Sequence, residues 1–176
     1  KLFGSYFNQR KQLNMEENLK KYLSKNNVKY VIHEHKAVFT VNESKNDLKI
    51  KSIPGIRTKS LFLKDKDKNF YLICLPGNKR LNTKCLKEKL NVNELHFASP
   101  EELKSQLNLM PGSVSIFGMI NAKNVTLIID EDVWQANITG FHPNINTATL
   151  EIKHEDLEKF VHSLNCKQII VKLPDG

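Results

Sequence analysis

The chain has 176 residues, 40% hydrophobic and 26% charged, the balance of an ordinary soluble globule that buries a single core without staples. Its formal charge of +8 and pI of 9.3 favour a polyanionic partner such as tRNA, other RNA or an acidic surface. The plainer alternative is lysines spread over a solvated face. No apolar run approaches the ~20 residues that span a bilayer, and no signal-peptide pattern opens the chain. Membrane association is therefore not expected.

Cys74, Cys85 and Cys166 are odd in number and far apart, with no CxxC spacing. Neither a disulfide framework nor a zinc site is indicated, and a reducing, cytoplasmic setting is expected. The chain starts without Met and stops after Leu173-Pro174-Asp175-Gly176, which fits a piece cut from something longer.

Residues 1–13 carry Phe3, Tyr6 and Phe7 without a clear period and read as an N-terminal leader, so the domain is expected over 14–176. Asn14, with Glu17 three residues on, has the pattern of a capping box. Met15, Leu19, Tyr22 and Leu23 follow as the stripe of an amphipathic helix that ends at Asn26-Asn27. Val28 to His33 is a strand candidate, and Thr40 with Glu43 starts a second short helix running to about Leu48.

Ile53-Pro54-Gly55 turns the chain into the stretch Gly55 to Lys64, which runs into a strand. There period-2 alternation puts Lys59 on the face of Leu61 and Leu63, while Thr58, Ser60 and Phe62 point the other way. Asp65 to Asn69 is a polar turn, and the apolar run Phe70–Leu75 suits a strand buried on both faces. Thr83 to Leu90 reads as a helix and Leu95 to Ala98 as a short strand. Ser99, Pro100 and Glu102 then form a strong helix start. A loop from Gly112 to Gly118 leads to strands near Val125–Ile129 and Thr147–Ile152. Leu157, Phe160, Val161 and Leu164 mark a last helix, and Ile169, Val171 and Leu173 alternate in a last strand. The irregular interleaving predicts a mixed sheet rather than a doubly wound parallel one.

Taken one at a time, the polar features leave alternatives open. Lys59 is either an ammonium at the rim of a cleft or a lysine snorkelling from a strand end. Gly112-Ser113-Val114-Ser115 allows backbone N–H groups to turn towards a carbonyl or phosphate, or is a plain connection. Phe141-His142-Pro143-Asn144-Ile145-Asn146-Thr147 collects donors and acceptors at one loop, or is a turn. His33-Glu34-His35 has the spacing of a metal-ligand pair, with no third ligand evident nearby. Lys64, Lys79 and Arg80 belong to a basic stretch between Lys45 and Lys89 that could track a nucleic-acid backbone.

Their order is more specific than any one of them. Arg57-Thr58-Lys59-Ser60-Leu61-Phe62-Leu63-Lys64-Asp65 is followed by Leu75-Pro76-Gly77-Asn78-Lys79-Arg80-Leu81 and by Phe97-Ala98-Ser99-Pro100-Glu101-Glu102-Leu103. Pro111-Gly112-Ser113-Val114-Ser115 through Gly118, and Phe141-His142-Pro143-Asn144 through Thr149, complete the set. From Met15 to Leu173 the chain resembles the YbaK-type aminoacyl-tRNA editing domain family, in its alanyl-tRNA(Pro) deacylase branch, which is related to the editing domain of prolyl-tRNA synthetase.

The resemblance implies a compact α+β single domain with a central mixed, barrel-like sheet flanked by helices. It also implies hydrolysis of the ester between a mischarged amino acid, usually alanine, and the terminal adenosine of tRNA(Pro). The family's essential lysine falls on Lys59, its glycine-loop donors on Gly112 and Ser113, and its pocket histidine on His142. Ser60 and Asn146 are expected in the same substrate site, with Lys64, Lys79 and Arg80 against the tRNA. Such domains are freestanding or appended to a synthetase, so the catalytic part of a prolyl-tRNA synthetase is an expected partner. No metal or organic cofactor is expected. Deacylation of Cys-tRNA(Pro) and a non-catalytic tRNA-binding appendage are the alternatives. The chain departs from the family pattern at Ile116, where many relatives carry Pro, and at Ser60, where the alanine-specific branch often has Asn.

Overall fold

The computed structural model describes residues 15–37 and 48–176. The expected leader, the Asn14 cap and the helix start at Thr40 and Glu43 lie outside them. Helix α1 (Glu17–Lys25) buries Leu19 and Leu23, one turn apart, on a single face. Its N-cap is Glu16, without a side-chain cap bond.

Strand β1 (Val31–Glu34) begins later than the apolar run at Val28 predicts. Val28 is buried, but its N–H closes the end of α1 on the Leu23 carbonyl at 2.9 Å, and the Lys29 N–H goes to Asp156 Oδ1 at 3.0 Å. Those donors are therefore spent on the helix end and a side chain rather than on a ladder. A short helix α2 (Leu48–Lys51) then leads to the central hairpin, β2 (Ile56–Lys64) and β3 (Phe70–Pro76).

The hairpin turn is built around one buried carboxylate. Asp65 accepts from the N–H groups of Asp67 and Asn69 at 2.9 Å, from Asn69 Nδ2 at 2.8 Å and from the Tyr71 hydroxyl at 2.9 Å. Burial opposes its ionisation, yet these donors outweigh burial and lower its pKa. Helix α3 (Thr83–Leu90) is capped by Asn82, and β4 (His96–Phe97) follows. Helix α4 (Pro100–Leu107) carries the expected capping box between Ser99 and Glu102.

The expected Gly112–Gly118 loop is partly a 3-10 helix, Ile116–Asn121, which starts where Ser115 Oγ accepts the Phe117 N–H. Strand β5 (Val125–Asp130) runs into a one-turn helix α5 (Glu131–Trp134), then β6 (Ile138–Phe141) and β7 (Ala148–Lys153). Helix α6 (His154–Ser163) and β8 (Gln168–Val171) complete the chain of elements. Neither α5 nor β6 is legible in the sequence. Each is four residues long, and β6 contains a glycine that weakens any strand pattern.

The strands form one eight-stranded mixed sheet in the order β1-β7-β6-β2-β3-β5-β8, with β4 added to β2. Pairing is parallel for β2–β6, β3–β5 and β5–β8 and antiparallel elsewhere. β3 is buried along its whole length, as its continuous apolar run predicts.

The larger core lies on the face of Phe62, Leu72 and Cys74, under α1, α4, the 3-10 helix and α6. The smaller core holds Leu63, Tyr71, Ile73, Leu75, Leu86 and Leu173, with Leu61 against it. Alternation along β2 therefore divides as expected, with Lys59 on the smaller-core face and Ser60 on the larger. Among the described residues no helix is long and apolar enough to cross a membrane.

Candidate functional site

β2 has unlike neighbours along its two edges. One edge is covered by β3 from Thr58 to Lys64. The other pairs with β6 through Ile56 and Arg57 and with β4 through Leu63 and Lys64. Between those contacts the edge has no strand partner among the described residues. Backbone directions alternate along the strand: the Arg57 carbonyl takes the Gly77 N–H (2.7 Å) on the β3 side, and the Phe62 carbonyl takes the Ala98 N–H (3.0 Å) on the other. Ser60 therefore turns its N–H and C=O into the gap.

Lys59 stands beside this gap, opposite Leu75 of β3. It is half-buried and makes no hydrogen bond or ion pair among the described residues. Burial lowers its pKa; the nearby Asp175 carboxylate acts against that shift, and Arg80 adds to it. The tail is what brings Asp175 there. Leu173 is buried in the smaller core, Asp175 bridges to Leu81, and Asp175 Oδ1 accepts the Arg80 N–H at 2.6 Å.

An open groove of 630 Å³ borders the same end of the sheet, lined in part by Arg57, Gly77, Asn78 and Asp132. Ser60 directs its hydroxyl away from solvent, 3.5 Å from Cys74 Sγ. Burial pushes the Cys74 thiol up to about 12, with the Ser60 bond acting against it, so this sulfur is no nucleophile near neutral pH.

His142 follows β6 at the point where that strand leaves β2. The last parallel pairs are Ile56↔Thr139 and Arg57↔Gly140, and His142 lies two residues beyond them on its strand, as Lys59 does on β2. Its Nδ1 lies 2.9 Å from the Ala148 carbonyl. A carbonyl only accepts, so Nδ1 carries the proton and Nε2 its lone pair. Burial lowers the His142 pKa below 6.5; the Ala148 carbonyl opposes this and His35 assists it, so the ring is neutral at pH 7. The two imidazoles meet edge to face at 6.0 Å. His35 in turn is bonded to the Lys36 carbonyl and Thr149 Oγ1, and His33 to Glu151. No group of three His, Cys, Asp or Glu suited to a metal occurs among the described residues.

The glycine loop supplies less than its composition promises. Gly112 adopts φ +86°, where a side chain is strained. The Ser113 N–H is already used, donating to the Met110 carbonyl at 3.1 Å. Ile116 is fully buried in the larger core, so the residue that replaces proline serves packing. Asn146 is half-buried on the β6–β7 turn.

The expected tRNA cations fall into two groups. Lys64 is bonded to Glu102 at 2.6 Å, which also closes the α4 capping box and is held to a low pKa first by Lys64. Lys79 donates to both oxygens of the buried Asp130 at 3.0 Å and to Asp132 at 2.7 Å. Burial works against its charge, but the bonds to Asp132 and Asp130 prevail and raise its pKa. Arg80 is exposed, with no side-chain partner among the described residues. The structure thus brings Lys59, Arg80 and Asp175 near one another beside the Ser60 main chain, and sets His142 just past the paired end of β6, while Lys64 and Lys79 are tied into ion pairs. Asp175 had no motif to announce it, and only the folded tail places it by Lys59.

Known proteins resemble the chain in sequence and in fold. Residues 35–160 match the aminoacyl-tRNA editing domain family. The chain is 34% identical over 137 residues to the prolyl-tRNA editing protein ProX of Acetoanaerobium sticklandii, covering 76% of this chain and 82% of that one. It is 27% identical over 163 residues to the prolyl-tRNA synthetase associated domain-containing protein 1 of Danio rerio, covering 90% and 88%. A solved structure described as a candidate trans-editing enzyme for prolyl tRNA synthetase superposes with a TM-score of 0.71 at 16% identity, over 93% of this chain and 100% of that one. At that identity the superposition establishes the fold.

Proposed function

Because the chain belongs to the aminoacyl-tRNA editing domain family, we propose that it hydrolyses the ester of mischarged tRNA(Pro), with alanyl-tRNA(Pro) as the first substrate. The observation that carries this reading is Lys59, a half-buried ammonium that among the described residues has no counter-ion in contact, beside an open strand edge. A lysine serving only stability or solubility would be paired, as Lys64 and Lys79 are, or fully solvated. A free cation in a partly desolvated site is poised for an anion.

Lys59 holds the phosphate of the terminal nucleotide, with Arg80 at the approach, and its field favours the negative charge that develops on the ester oxygen. The Ser60 N–H and the glycine-loop N–H at Gly112 are the main-chain donors available to a carbonyl. Water adds to the ester carbon, and the bond to the ribose oxygen breaks, giving the free amino acid and the terminal hydroxyl. The neighbouring ribose hydroxyl orients that water, and His142 Nε2 is an acceptor on the amino-acid side. Asn146 lines the same turn. Discrimination rests on a pocket too small for larger side chains, since one methylene is worth only ~1–3 kcal/mol by attraction. Whether the domain acts in trans or appended to a prolyl-tRNA synthetase, the chemistry is the same.

The test is release of amino acid from alanyl-, cysteinyl- and prolyl-tRNA(Pro). Alanyl ester is expected to be cleaved fastest and prolyl ester spared. Faster cleavage of the cysteinyl ester would reassign the substrate, and tight tRNA binding with all three esters intact would make the domain a binding appendage.

A further inference from the structure

The turn from β6 to β7 holds polar groups that the reading above leaves unused. Asn144 is only 6% exposed and sits at φ +61°, and neither of its amide atoms has a hydrogen-bond partner among the described residues. Thr147 Oγ1, three residues on, is likewise buried without a partner. Each such orphan is costly to bury, and native proteins keep one chiefly where something else completes the set. The His142 Nδ1–H bond to the Ala148 carbonyl closes this turn across its mouth, so both orphans belong to the same loop as the His142 lone pair.

The chemistry of the loop selects the ligand. A carboxamide oxygen, a hydroxyl and an imidazole Nε2 are all acceptors. Pro143 contributes no N–H, and His142 to Thr147 contain no Lys or Arg to meet an anion. They contain no Asp or Glu either, so a metal cation would find no charge to neutralise it. A primary ammonium beside a small apolar group fits all of these conditions. In an aminoacyl ester the α-ammonium sits on the carbon next to the reacting carbonyl.

We propose that Asn144 and Thr147 form an ammonium subsite that admits only esters with a free α-amino group, so that the substrates are aminoacyl-tRNAs and not N-acylated or peptidyl-tRNAs. Asn144 Oδ1 and Thr147 Oγ1 accept from the ammonium. The inference rests on the deacylase reading.

The experiment compares alanyl-tRNA(Pro) with N-acetyl-alanyl-tRNA(Pro) in the wild type, Asn144→Gly and Thr147→Val. Glycine keeps the positive φ while removing the amide, and valine keeps the shape of threonine. The wild type is expected to cleave the free-amine ester about 10–100-fold faster, the worth of one or two hydrogen bonds to a charged group. Each variant is expected to slow that ester alone and so erase the preference. Equal wild-type rates on the two esters, or variants that slow both by the same factor, would overturn the subsite.

If the wild type cleaves neither ester, the deacylase reading fails and binding decides the subsite. The probes are then the stable 3′-amide of alanine with 3′-amino-3′-deoxyadenosine and its N-acetyl form. A preference for the free amine that Asn144→Gly abolishes upholds the subsite, and equal binding of the two overturns it.

Discussion

At the scale of single residues, the site depends on two groups whose charge states are set by burial. His142 has a folded-state pKa below 6.5, so the unfolded chain takes up this proton first. Its contribution to stability is therefore complete above pH 6.5 and declines as pH falls through the folded value. Activity is expected to follow the same direction: kcat/KM is flat above pH 6.5 and drops on the acid side as Nε2 is protonated. In His142→Gln that acid limb should disappear from the pH–rate profile; a limb that survives unchanged belongs to another group.

Lys79 and Arg80 are neighbours with opposite expected phenotypes. Lys79→Ala strands the buried Asp130 carboxylate and should cost roughly 2–4 kcal/mol in urea unfolding. Arg80→Ala leaves no buried partner behind, so it should weaken tRNA binding with an unchanged melting temperature. A binding loss confined to Lys79→Ala would exchange the two roles.

At the scale of elements, what the sequence shows depends on how local each signal is. Helix α4 is legible because Ser99, Pro100 and Glu102 determine its start within a few residues. β3 is legible because its burial on both faces is written as an unbroken apolar run. β6 is not, because its four residues are defined by neighbours far away in sequence, β2 on one side and β7 on the other. One local residue does register that contact. Gly55 sits at φ +84°, and a Cβ there would collide with the Ile138 main chain at the start of β6. Gly55→Ala should therefore cost at least ~1–3 kcal/mol by denaturant titration, far more than a glycine in an ordinary turn. A cost below half a kcal/mol, the size of a surface change, would mean that β6 is not seated on this glycine.

The candidate site divides along the same line. Lys59, His142 and the glycine loop stand in ordered motifs, so the resemblance finds them. The gap in the β2 edge, the Asp175 carboxylate and the unpaired Asn144 amide exist only once β4, β6 and the tail are in place. Lys64 and Lys79 show the converse, since a count of basic residues cannot see the carboxylates paired with them.

For the molecule as a whole, the net charge of +8 already sets every carboxylate against a cation, so the placement of the unpaired cations matters more than their number. Lys20, Lys64, Lys79 and Lys159 are each paired with an acidic side chain, while Lys59 and Arg80 have no side-chain ion pair among the described residues. The fold makes a site by arrangement: the sheet opens one edge of β2, and the tail shapes the field at Lys59. The most direct test is single-turnover hydrolysis of alanyl-tRNA(Pro) by the wild type and Lys59→Ala, with melting temperatures measured alongside. Loss of one such electrostatic contact is expected to slow the step about 10²–10³-fold with little change in melting temperature, because no partner is left unpaired. Full activity in Lys59→Ala would contradict the account.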